Sequence, residues 1–344
     1  MKFISFPRIL IHGCLLVSLF TSCRKDQEVT VPARSNILAY IAKDPQLTLL
    51  ETAIKHCGLD TTVFNQGGPY TVFCPVDSAF MAAGLTADSI NRYDRDSLSR
   101  ILKYQILSGK FSSTDVIGFV TANVTSLDSV YKPFIQKNYF GIFLNGIPVT
   151  EGNIELGDGV IQKIGKVAFP PRKTVLQMID SLPELSYFAA MVKDVPQFSK
   201  VLAQYNPTIP YYTSGFLGDP GLTVLAPINS GFLTSDYPSI DIINQTDPAI
   251  FNGMYAACFL NGFRFTSNFM GGFIPVNTPG TSPTSNTNNR LLEIIGFPSY
   301  RIDKDGITII PSYPPGIPPR ITVSNILCTD GVLQEVDQVF ISGS

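Results

Sequence analysis

One stretch of this chain is written twice. Gly68-Pro-Tyr-Thr-Val-Phe-Cys-Pro-Val-Asp-Ser-Ala-Phe80 returns as Pro220-Gly-Leu-Thr-Val-Leu-Ala-Pro-Ile-Asn-Ser-Gly-Phe232, with Thr, Val, Pro, Ser and Phe in the same slots. Each copy reads as a short buried strand, Thr71 to Phe73 and Thr223 to Leu225, stopped by a proline that cannot donate to a ladder. Asp77 and Asn229 follow where a helix N-cap is wanted, with Phe80 and Phe232 as apolar anchors in the first turn. Two more anchors keep the same order. Ile37, Leu38, Ile41, Pro45, Leu47 and Leu50 are echoed by Val175, Leu176, Ile179, Pro183, Leu185 and Phe188. Asp158-Gly-Val-Ile-Gln-Lys-Ile-Gly-Lys-Val167 is echoed by Asp330-Gly-Val-Leu-Gln-Glu-Val-Asp-Gln-Val339. Chance matching of apolar residues would not keep three anchors collinear, so the chain is two copies of one mixed unit. The second copy carries extra residues before and after its strand-proline motif.

Composition agrees with this division. A chain of 344 residues holds two domains of ordinary size plus a leader, and 44% hydrophobic residues suffice for their cores. With 25 basic against 27 acidic residues there is no surplus to neutralise phosphates, which excludes nucleic acid as a partner.

Residues 1–23 read as an export signal. Lys2 and Arg8 give a positive start, and Ile9 to Phe20 form an apolar run too short to span a bilayer as a mature helix. The run ends in Phe20-Thr-Ser-Cys23, which resembles the lipobox of a bacterial lipoprotein with Phe in place of the more usual Leu. Cys14 is the competing lipidation site, with few apolar residues before it, and a plain cleaved signal is the unlipidated alternative. Lipidation at Cys23 would tether a soluble fold to the membrane through its anchor only. Arg24, with no retention Asp beside the cysteine, points by the same resemblance to the outer membrane, at the cell surface or the periplasmic face. Residues 24–35 lack periodicity and serve as a tether.

The first copy, residues 36–171, opens with a helix capped near Ser35. A second helix has Asp44 as cap, Pro45 at its first position and Gly58 as terminator. A helix from Asp96 to Tyr104 hands over to a strand at Gln105 to Leu107, and Asn145-Gly146 and Asp158-Gly159 mark hairpins. Pro170-Pro171 leaves almost no linker, which restricts the mutual orientation of the copies. The second copy, residues 172–344, has two loop insertions. Tyr205 to Phe216 is rich in aromatics and prolines; Tyr211, Tyr212 and Phe216 form a candidate binding loop for sugars or proteins, the plainer reading being a loop folded over its own core. Thr278 to Asn289 is uncharged and of low complexity, and Pro311 to Pro319 should cross as an extended polyproline-like segment.

The chemistry this chain can support is limited by histidine. His12 leaves with the leader, and His56 sits at a helix C-terminus beside Cys57 and Gly58, where a polar capping role is the simpler reading. Neither Cys-x-x-Cys nor His-x-x-x-His occurs, so no zinc site is expected. Asp303-Lys-Asp-Gly306 superficially resembles a calcium loop, but the position needing a bidentate Glu is Pro314, and a hairpin turn explains it better. No catalytic residue, metal or cofactor is assigned. Cys57, Cys74, Cys258 and Cys328 are evenly split between the copies, yet Cys74 aligns with Ala226 in the other copy, so a repeated disulfide does not follow.

The opening helices, the "YTVFCPVDSAF" and "LTVLAPINSGF" motifs, the leucine-bearing "SLSRILKYQIL" and the closing "DGVIQKIGKVAFP" and "DGVLQEVDQVF" resemble fasciclin-like domains in two tandem copies. The resemblance implies an α+β fold in which a twisted β-sheet wedge packs against several α-helices, and a role in adhesion and matrix contact. Where that family often has Tyr-His, this chain has Tyr104-Gln105, and in the second copy Ala256 or Cys258 depending on gap placement. The resulting expectation is a non-enzymatic, lipid-anchored adhesion protein contacting protein or polysaccharide at the cell surface. The alternative is an accessory glycan-binding lipoprotein of an outer-membrane uptake system.

Overall fold

The apolar spacing of the opening segment becomes helix α1, Ile37–Ile41, whose cap is Asn36, its side chain accepting from the Ala39 amide. The structure, a computed structural model, describes residues 35–193 apart from 117, 119, 120 and 139, together with 221–251, 258–269, 291–294, 297–302, 309–311 and 319–340. Helix α2, Thr48–Cys57, ends as expected at Gly58, where φ of 67° gives the left-handed C-cap. Its start differs from the expectation. Asp44 does not cap it; the Asp44 carboxylate accepts from the Gln46 amide and lies 2.5 Å from the Lys163 ammonium.

The missing cap comes from the repeated motif. After α3, Leu59–Thr62, strand β1 runs Tyr70–Pro75 and α4 runs Asp77–Ala82. Asp77 makes no cap bond to α4; its two oxygens accept from the Leu49 amide at 2.9 Å and the Thr48 hydroxyl at 2.6 Å. The carboxylate therefore satisfies orphan donors at the start of α2, ties two elements together, and corrects the sequence reading. Helices α5, Ala87–Arg92, and α6, Arg95–Tyr104, follow with caps at Thr86 and Asp94. Strands β2, Ile106–Ser108, β3, Thr121–Asn123, β4, Phe134–Asn138, β5, Gly141–Leu144, β6, Ile147–Leu156, and β7, Gly159–Ile164, complete the first sheet in the order β2-β1-β7-β6-β5-β4-β3.

The second half repeats the plan. Helix α7, Val175–Ser181, starts with a capping box of Thr174 and Gln177; α8, Ser186–Lys193, β8, Leu222–Pro227, α9, Asn229–Phe232, and α10, Ile240–Gln245, follow. Then come β9, Phe259–Asn261, α11, Thr266–Phe269, β10, Leu291–Ile294, β11, Phe297–Ile302, β12, Ile309–Pro311, β13, Ile321–Leu327, and β14, Gly331–Val336. The order β9-β8-β14-β13 reproduces β2-β1-β7-β6, with a parallel central pair in each half: Tyr70 opposite Gly159 and Leu222 opposite Gly331. The halves differ beyond this quartet. The antiparallel trio continues from β6 in the first and joins β9 through Ile294 and Leu260 in the second. Strands β11 and β12 pair at Ile302 and Ile309, as the hairpin reading of the Asp303 stretch expects, though Asp303 to Gly306 lie outside the described residues.

The two cores form separately on the helical face of each quartet. Val72 and Ile161 meet Leu50, Phe80, Leu98 and Leu102 in the first; Val224 and Leu333 meet Phe188, Met191 and Phe232 in the second. Polar groups, buried or partly buried, repeat as faithfully as apolar ones. The Asp158 carboxylate accepts from the Ile37 amide, and Asp330 from Val175, both at 2.8 Å. Thr71 donates to the Gly109 carbonyl and Thr223 to Gly262. Gln162 accepts from the Asn153 amide as Gln334 does from Asn325. In each half a buried polar group is spent on fixing a strand to its neighbour, the arrangement that specifies one register rather than several.

Candidate binding surface at the junction of the two halves

The residues singled out by sequence fall in three places. Cys23, Tyr211, Tyr212 and Phe216 lie outside the described residues, as does most of the proline segment. His56 bonds through Nε2 to the Tyr93 carbonyl at 3.0 Å, so it links α2 to the turn after α5. The Cys57 thiol sits 3.7 Å from the Arg95 carbonyl, and half-burial pushes its pKa up to about 11. Burial likewise raises the Cys328 thiol to about 12, with the Asp330 carboxylate adding to the shift, and raises Cys74 and Cys258. No disulfide joins cysteines among the described residues.

Tyr104-Gln105 is buried. Gln105 donates to the Ile101 carbonyl and accepts from the Ala168 amide, while its own carbonyl accepts from Phe73. In the second half the Leu225 amide donates to the Cys258 carbonyl, so the register places Cys258 where Gln105 stands. Of the two positions the sequence left open, the ladder selects Cys258. Tyr104 is fully buried, which raises its pKa, and its hydroxyl accepts from the Asn145 amide group at 3.0 Å.

Asn145 carries the argument from the core to the junction. Its side-chain oxygen accepts from the Phe134 amide, and with φ of 50° at Asn145 and 75° at Gly146 it forms the tight turn between β5 and β6. That turn abuts the second half. A Cβ at Gly146 would come within 2.6 Å of the Asn325 amide nitrogen and 2.8 Å of Phe265 Cβ, so only glycine permits the approach. Asn325 Nδ2 donates to the Gly146 carbonyl at 3.4 Å. Beside it, Phe134 stacks on Phe263 at 4.6 Å and packs on Phe265 at 5.6 Å between ring centres.

A polar seam extends this contact. Gln136 donates to Asn268 at 2.6 Å and accepts from the Ser267 hydroxyl; Asn138 donates to the Ser267 carbonyl at 2.9 Å; Asn268 donates to Thr121 at 2.7 Å. Apolar and polar parts together hold the halves in one orientation, as the absence of a linker leads one to expect. None of these residues was singled out by sequence, although Asn145-Gly146 was legible as a turn.

Next to the seam a groove of about 710 Å³ opens, lined from the first half by Phe140, Phe143 and Asn145, from the connector by Lys166 and Phe169, and from the second half by Ile326 among others. Connector residues Val167, Ala168, Pro170 and Pro171 are buried, which holds the backbone that carries the exposed Lys166, Phe169, Arg172 and Lys173.

The architecture defines a class: a tandem pair of α+β modules, each a sheet quartet with helices on one face. Residues 45–170 match the Fasciclin domain family model. Protein sll1483 of Synechocystis sp. (strain ATCC 27184 / PCC 6803 / Kazusa) is 26% identical over 157 residues, covering 42% of this chain and 85% of that protein. Uncharacterized protein sll1735 of the same organism is 30% identical over 135 residues, covering 38% of this chain and 96% of that protein. The transforming growth factor-beta-induced protein ig-h3 of Sus scrofa is 27% identical over 195 residues, 57% of this chain but only 27% of its own length. A solved FAS1 domain pair from the insect cell adhesion molecule Fasciclin I aligns with 86% of this chain and 96% of its own at 14% identity and a TM-score of 0.36. The chain belongs to the fasciclin-domain family. That membership supports a non-enzymatic adhesion or binding role.

Proposed function

We propose that this chain is a lipid-anchored binding protein of the cell envelope, tethered through Cys23 and contacting a matrix component, another surface or a neighbouring envelope protein. The fasciclin match over residues 45–170 is the observation that carries this reading. The pinned junction supports it, because a contact made by one half is then presented at a fixed attitude to the other. The leader ending in Phe20-Thr-Ser-Cys23 supports the anchor and an outer-membrane location. Mass spectrometry of the mature N-terminus tests the anchor: the expected result is an acylated Cys23, and a Cys23→Ala protein leaves the membrane fraction. Protease shaving of intact cells tests the location; a protein untouched until the outer membrane is breached removes the adhesive reading.

A second reading is favoured by the aromatic insertion of the second copy. Tyr211, Tyr212 and Phe216 would stack on sugar rings, making the chain an accessory glycan-binding lipoprotein of a nutrient-uptake system. Saturable binding to defined oligosaccharides, lost when these three are replaced by Ala, separates it from general adhesion.

A further inference from the structure

The groove beside the seam combines an apolar lining with three cations. Phe140, Phe143, Ile147, Phe169, Met178 and Ile326 belong to the apolar part. Two of them are large apolar side chains left in water, Phe140 at 63% exposure and Phe169 at 44%. Lys166, Arg172 and Lys173 belong to the same lining and are exposed, and none has a side-chain ion pair or hydrogen bond among the described residues. No Asp or Glu joins the described lining, although acidic residues outnumber basic ones in the chain.

From this pairing we infer that the groove binds an amphipathic organic anion, a small molecule with a chain or ring body and a single carboxylate or sulfonate. The body covers Phe140 and Phe169 and removes them from water, the main source of affinity in such pockets. The acid group meets Lys166, Arg172 and Lys173, whose backbone is held by the buried connector residues Val167, Ala168, Pro170 and Pro171, so that only their side chains need to be ordered on binding. The volume of about 710 Å³ lies within the range of small-molecule pockets, and its concave shape does not suit the flat area that a folded partner covers. Both halves line the groove, so occupancy stabilises the joined arrangement. The inference goes beyond the adhesive reading and does not need the anchor or the Tyr211 loop.

The test uses the full chain and 8-anilinonaphthalene-1-sulfonate, an aromatic anion whose fluorescence rises out of water. The expected titration saturates at one probe per chain and is reversed by decanoate but not by decanol. Lys166→Glu with Lys173→Glu weakens both anions on the order of tenfold while leaving the uncharged dye Nile red unchanged. Phe140→Ser with Phe169→Ser weakens all three. The substituted side chains are exposed, and circular dichroism confirms that each variant is folded. Absence of saturable binding overturns the inference, as does equal anion affinity in the charge-reversed protein. So does sedimentation showing that a second copy of the chain fills the groove and is released by the Phe140→Ser, Phe169→Ser protein.

Discussion

At the scale of single residues, the two copies place side chains alike and then give them different chemistry. Asp77 accepts from the start of α2; Asn229 accepts from the Tyr187 amide and also donates to the Pro183 carbonyl, both at 3.0 Å. Asp77→Ala and Asn229→Ala should each cost about 1 to 2 kcal/mol, the worth of a helix cap, as read by urea denaturation. The contrast is sharper at Lys163 and Glu335, which the closing motif aligns. Lys163 is 5% exposed between Asp44, at 2.5 Å, and Glu151, at 2.8 Å. Burial opposes the charge of both Lys163 and Asp44. The bonds between them prevail, holding the carboxyl below its ordinary value and the ammonium above. Asp44 therefore contributes stability above the unfolded value of 3.8, lost as pH falls through the lowered folded one; Lys163 contributes below 10.5, lost as pH rises through its raised one. Lys163→Met should cost about 1 to 3 kcal/mol at neutral pH by leaving the partly buried Asp44 without its cation. Glu335 has the sign opposite to that of Asp44. Burial first and the Glu184 charge second raise its pKa, so its contribution favours the fold below 4.5 and is lost as pH rises through the raised value. Glu335→Gln should raise the denaturation midpoint at neutral pH and change nothing below the ordinary glutamate range.

At the scale of elements, the central parallel pair is the least forgiving part of each half. A Cβ at Gly159 would run into the Tyr70 carbonyl oxygen, and one at Gly331 into that of Leu222. Gly159→Ala and Gly331→Ala should each cost about 1 to 3 kcal/mol in thermal unfolding, since relief means parting β1 from β7 or β8 from β14. These strands were legible because their signals are local: an apolar run, a proline to end it, a glycine to start its partner. Helix ends were less so. Asp44 and Asp77 have the composition of caps, but a carboxylate is satisfied by whichever orphan amides lie nearest in space, and for Asp77 these belong to α2. The gap at Gln105 could not be placed in the second copy until the Leu225 amide was seen to bond Cys258.

At the scale of the whole molecule, the seam was hidden from sequence for a physical reason. Gln136 and Asn268 are ordinary polar residues far apart in the chain, and neither sits in a pattern that marks a partner. The groove is hidden in the same way, because its lining comes from two halves and a connector. Phe134→Ala combined with Asn268→Ala removes the ring stack and two seam bonds. Calorimetry should then resolve two unfolding transitions, where the intact chain shows one, because coupled halves unfold together.

The connector from Lys166 to Lys173 is half sunk into the protein at Val167, Ala168, Pro170 and Pro171, and so it stores no slack. A spacer that can uncoil acts as a spring, absorbing a tug before passing it on. Here no stretch of loose chain lies between the modules to take up a pull before it is passed from one to the other.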